Sequence, residues 1–137
     1  MTVEEDLIGP VAHKHGVDEF LSIYTSKIEV KHWVRAKALY LSDSKGLPVW
    51  ETREILREYS RALLIIGKKN QPAFMEAIQE MEQMLANNGF YKTFIFTLHP
   101  DSTYIDAAAS GIDIVGTVKK FKKEFDVLVP VAIILVE

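Results

Sequence analysis

Two bare apolar runs, ALLIIG at 62–67 and VLVPVAIILV at 127–136, restrict this chain more than any other feature. Each has strand length and no polar alternation, the pattern of a strand covered on both faces. Between them lie a helical stripe (Phe74, Ile78, Met81, Leu85) and an aromatic-rich strand pattern, YKTFIFTL at 91–98. A further helix is expected to start near Ser110 and Asp113 and to run to Lys122, with Val115, Val118 and Phe121 or Phe125 inward. The C-terminal half thus reads β-α-β-α-β. That order predicts an α/β fold: a mixed, partly parallel sheet packed with helices in a single-domain sandwich over 1–137.

The N-terminal half is expected to supply further elements. Thr2 and Glu5 have capping-box spacing for a helix that Gly16 stops, with Pro10 weakening its first turns. Residues 17–24 and 34–41 both mix alternation with β-branched and aromatic side chains, as half-buried strands do. The turn formers of 42–49 lead into an amphipathic helix, ETREILREYS, with Ile55, Leu56 and Tyr59 on one side. Asn70 and Pro72 fit the start of the next helix, and Asn88-Gly89 its end. Pro130 predicts an edge position or a bulge for the closing strand.

Composition narrows the function classes. The chain has 137 residues, 16 basic and 19 acidic, for a formal charge of -3. No positive field attracts nucleic acid, and the lysines of KKFKK at 119–123 read as the wet face of a helix. The acidic start, MTVEEDLIGP, lacks the pattern of a secretory signal, and no apolar run is long enough to span a bilayer, so a cytoplasmic protein without membrane contact is expected. There is no cysteine. Disulfides, thiolate metal sites and a thiol nucleophile are therefore absent, and His13 and His15 lack the i, i+4 spacing of a helical metal clamp. No metal or cofactor is expected.

Ligands of open α/β sheets gather beyond the carboxyl ends of parallel strands. That rule directs attention to Lys68, Lys69, His99, Asp101, Tyr104, Ser110 and Asp113. In this reading His99 would be an acid or base, the lysines would anchor a small anion, and the Ser110-Gly111 helix start would hold a phosphate or carboxylate. The bland alternatives are a solvated basic turn and a His-Pro-Asp corner. No nucleophile elbow, phosphate loop or dinucleotide fingerprint supports catalysis.

Three stretches, WVRAKALY (33–40), ETREILREYSRALLI (51–65) and GFYKTFIF...HPD...AASGIDIVGT (89–117), resemble in the same order segments of an uncharacterised bacterial and archaeal family of predicted metal-binding proteins. The resemblance implies an α/β fold and places that family's metal-ligand cysteines near Ala38, within Gly46–Val49, at Asp101, near Tyr104 and Ala107, and at Ser110. None of these is a thiol. The chain therefore reads as a cysteine-free relative acting through binding or assembly. A homodimer is the expected partner, held through the apolar segment 127–136 as an exposed edge.

Overall fold

The computed structural model describes residues 2–41, 45–99, 103–126 and 128–137. In chain order it contains α1 (Val3–Lys14), β1 (Glu19–Tyr24), α2 (His32–Leu41), α3 (Val49–Arg57), β2 (Arg61–Ile66), α4 (Phe74–Asn87), β3 (Phe94–Leu98), β4 (Ile105–Asp106), α5 (Ile114–Lys119) and β5 (Val131–Leu135). Single 3₁₀ turns occupy Thr25–Lys27 and Ala108–Ser110. The α/β expectation holds. The five strands form one mixed sheet in the order β1-β2-β5-β3-β4, in which only β3 and β4 pair directly in parallel.

The position of β5 corrects the sequence reading. It lies between β2 and β3, antiparallel to both, with all five residues buried. It is no exposed edge, and a dimer built on such an edge loses its basis. Pro130 sits one residue before the strand, where its missing N–H costs no ladder bond and its carbonyl accepts from Gly67 N at 2.8 Å. The two parallel strands β2 and β3 are thereby separated by one antiparallel strand.

Alternate side chains of the buried strands feed two cores. Leu63, Ile65, Ala132 and Ile134 face α1 and α4, whose Ile8, Val11, Phe74, Ile78, Met81 and Leu85 fill that layer. Ala62, Leu64, Ile66, Val131, Ile133 and Leu135 face Ile28, Leu56, Ile112, Ile114 and Val118. Helical cover on both faces explains why β2 and β5 read as unbroken apolar runs.

Local expectations fare unevenly. The Thr2–Glu5 capping box forms, and Gly16 and Gly89 take positive φ at the two helix ends. Pro10 stays inside α1 without ending it. Asn70 adopts φ 57 about one turn early, and α4 instead begins after Ala73. Asp113 does cap α5, whereas Ser110 lies in the preceding 3₁₀ turn. The largest miss is 34–41, which forms helix α2 and not a strand. Its Ala36, Lys37, Ala38 and Leu39 are strong helix formers, and their propensity outweighs an accidental alternation.

Helix α2 buries no residue and packs on the 108–110 turn. The turn that receives it is unusually crowded. A Cβ on Gly46 would lie 2.2 Å from the Ala109 carbonyl oxygen, a backbone atom unable to move aside. Gly46→Ala is expected to cost about 1–3 kcal/mol in urea unfolding. Gly9→Ala, whose nearest obstacle is the Phe20 ring at 3.8 Å, is expected to add roughly 1 kcal/mol through helix propensity. Equal midpoints for both variants would contradict this packing.

Candidate functional site

The carboxyl ends of β2 and β3 meet where predicted, since Ile66 and Leu98 both pair with Val131. Described side chains pack closely around this junction. His99 stacks on Phe74 with ring centroids 6.0 Å apart and planes 11° from parallel. A Cβ on Gly67 would come within 2.5 Å of Phe74 and 2.8 Å of Pro130, so this rim is closely packed. Lys68 is exposed and pairs with Asp18 at 2.8 Å, while Gln71 ties the loop down by accepting from Lys68 N and donating to the His15 carbonyl. Lys69 is exposed beside it. Asp101 lies outside the described residues.

The remaining predicted residues belong to other neighbourhoods. Tyr104 packs against the α1–α4 core and donates to Glu82 of α4 at 3.0 Å. Burial, followed by that carboxylate, raises its phenol well above the ordinary value and keeps it protonated. Ser110 is fully buried beneath α3: its hydroxyl donates to the Asp106 carbonyl at 2.7 Å and accepts from Leu47 N at 3.0 Å. Asp113 accepts from Gly116 N at 3.0 Å and pairs with Lys31 at 3.0 Å. Lys68, Lys69 and His99 share one end of the sheet; Ser110 and Asp113 lie with the segments around Lys31 and Leu47.

Ser110 and Asp113 instead belong to a hub that fastens three separate segments. Thr52 of α3 donates to the Ser110 carbonyl at 2.8 Å, and Lys31 N donates to the Gly111 carbonyl at 2.7 Å. Gly111 has φ 87 and would bring a Cβ to 2.8 Å from Val49, so this crossing requires glycine. Arg35 of α2 reaches in and donates from Nη1 to the carbonyls of Leu47, at 2.8 Å, and Ala109.

Several positions at which the resemblance implies thiols converge here: Gly46 abuts Ala109, Leu47 bonds Ser110, and α2, which carries Ala38, packs on the same turn. The donors present do not fit a soft metal. They are backbone carbonyls, one hydroxyl and a guanidinium cation, and among the described residues no group of three or more His, Cys, Asp or Glu is placed to hold a metal ion.

A groove that the sequence reading overlooked lies at the opposite end of the sheet, where Tyr24 pairs with Arg61. It has a volume of about 400 Å³ and is lined by Thr25, Ser26, Ile28, Val30, Arg53, Leu56, Arg57 and Tyr59. Its only sequence signal is the i, i+4 pair Arg53 and Arg57, which is indistinguishable from the wet face of any amphipathic helix. No helix among the described residues is long and apolar enough to cross a membrane. Comparison with protein-family models, curated proteins and solved structures gives no match for this chain.

The charged edge of the hub sets a pH dependence. Lys31 bridges Asp113 and Glu29, and Lys120 approaches Glu29 at 3.3 Å. Burial pushes the Asp113 carboxyl upward, but the Gly116 N–H and then Lys31 outweigh it and hold the group below its ordinary value. Glu29 is held low chiefly by its bond to Lys31. Depressed carboxylates contribute stability that is present above the ordinary carboxylate range and lost as pH falls through it towards the depressed values. The urea midpoint should therefore fall below about pH 5, and less steeply in Asp113→Asn, which keeps the helix cap without the charge. Parallel acid limbs for the two proteins would refute this role.

Proposed function

We infer that this chain is a binding and assembly domain that self-associates through the outer face of α2, as a divergent cysteine-free relative of the family it resembles. One observation carries the reading: α2 buries none of its ten residues and presents large apolar side chains to solvent. Trp33 is 59% exposed and Tyr40 89%, with exposed Leu39 and Leu41 beside them; Trp50 in the first turn of α3 is 67% exposed. Taking about 150–250 Å² per aromatic side chain, the three aromatics leave on the order of 400 Å² uncovered. That area is about half of the roughly 800 Å² per partner of a standard interface, so the charged and small residues of α2 must supply the rest of the contact.

A second copy is the occupant that the pattern fits. Trp33, Ala36, Lys37 and Tyr40 follow i, i+3, i+4, i+7 spacing, and all four are exposed. Paired antiparallel with its two-fold mate, this stripe sets each Trp33 against the partner's Tyr40 across the small Ala36. Lys37 then lies over aromatic faces, a favourable place for an ammonium.

Light scattering on the eluting full-length chain should give twice the monomer mass at high concentration. Trp33→Glu with Tyr40→Glu should give the monomer mass and still unfold in one cooperative step, with a melting temperature that, unlike the wild type's, does not rise with protein concentration, because neither side chain supports the core. A wild-type chain that stays monomeric at the highest attainable concentration, or a dimer that survives both charges, would sink the proposal.

A further inference from the structure

The groove between the 25–27 turn and α3 sets a basic rim over an apolar floor that is the outer margin of the second core. Its floor is apolar, made by Ile28, Val30 and Leu56, and among the described residues no carboxylate lines it. On its rim stand Arg53 and Arg57, one helical turn apart and both exposed. Their present bonds are weak. Arg53 reaches the Val30 carbonyl at 3.4 Å, a long contact, and Arg57 pairs with Glu54 at 2.9 Å where both side chains are more than half exposed. Pairs of that kind contribute little, so both guanidiniums are available at small cost.

The polar wall is preset. Thr25 donates its hydroxyl to the Tyr59 carbonyl at 2.5 Å, and the Tyr59 hydroxyl donates to the Lys92 carbonyl. Burial raises the Tyr59 phenol above its ordinary value, so the wall carries no negative charge. Ser26 adds an exposed hydroxyl at the mouth. The groove is open to solvent along much of its length, and its volume of about 400 Å³ is enough to seat one face of a small molecule.

We propose that this groove binds a small organic anion, an aromatic or branched aliphatic body carrying one carboxylate or phosphate head. The body lies on Ile28, Val30 and Leu56, and the head bridges Arg53 and Arg57. Two forked guanidiniums favour a planar or multidentate oxyanion over a simple ion, and the apolar floor supplies the second half of recognition. The site is separate from the α2 face and stands or falls independently of self-association.

The test is an amide chemical-shift titration of the full chain with four probes: phenyl phosphate, benzoate, inorganic phosphate and benzyl alcohol. Saturable shifts confined to 25–30 and 53–59 are expected with at least one of the two aryl anions, and which of them binds tighter identifies the head. Inorganic phosphate and benzyl alcohol should each bind about tenfold or more weakly, since each lacks half of the recognition. Arg53→Gln with Arg57→Gln should weaken the better aryl anion by more than about tenfold, as the loss of charge-assisted bonds requires, at an unchanged melting temperature. Paired lysine replacements should recover part of the affinity, a readout that structural damage would not produce. The proposal is overturned by shifts that never saturate or lie elsewhere, by equal binding of either half-probe, or by unaltered affinity in the double glutamine variant.

Discussion

Burial of β5 on both faces and both edges is the constraint on which the structure depends. Five consecutive side chains with no solvent exposure must be met by helices above and below the sheet, and their backbone groups must be met by strands on either side. Once β2 and β3 flank this strand, α1 and α4 are committed to one face. The segment from Ala107 through α5 is committed to the other, together with α3. Strand β1 joins this frame through its ladder with β2 and Ile23, and the 25–30 segment through Ile28; polar contacts fasten the rest. Chief among them is the Ser110–Gly111 crossing, which anchors the chain at Lys31, Leu47 and Thr52.

Much of the frame was legible because it rests on strong local patterns. The α4 stripe, the apolar runs of β2 and β5, the capping box at Thr2 and the Asp113 cap all express physics that acts within a few residues. The place of β5 in the sheet was not legible. A strand buried on two faces has one sequence signature whether it lies second or central, and Pro130 misdirected the reading because a proline just outside a strand looks the same as one in an edge strand. Helix α2 was missed for a related reason. In WVRAKALYL both periods are partly satisfied, and no core contact exists to impose either one.

The candidate site shows the same limit at longer range. Strand-end reasoning located the junction of β2 and β3 correctly, yet whether a junction is hollow depends on side chains distant in sequence, here Phe74 and Pro130. Ser110 and Asp113 attract notice as polar residues before a helix; the structure uses them as fasteners. Arg53 and Arg57 attract none, because their partners in the groove come from the 25–30 segment, more than twenty residues earlier. The two surfaces left open, the α2 face and the groove rim at Arg53 and Arg57, both lie on solvent-facing sides of helices, where packing demands least of the sequence.

The contact of Arg35 with the carbonyls of Leu47 and Ala109 has one more effect. A guanidinium keeps its proton throughout the range in which proteins stay folded, and it has no accessible oxidation state. The tie between α2 and the body is therefore indifferent to oxidants and to modest acidity, conditions that would loosen thiolates gathered round a metal. Whatever the outer helix engages, it is presented from a mounting that changes in redox environment leave in place.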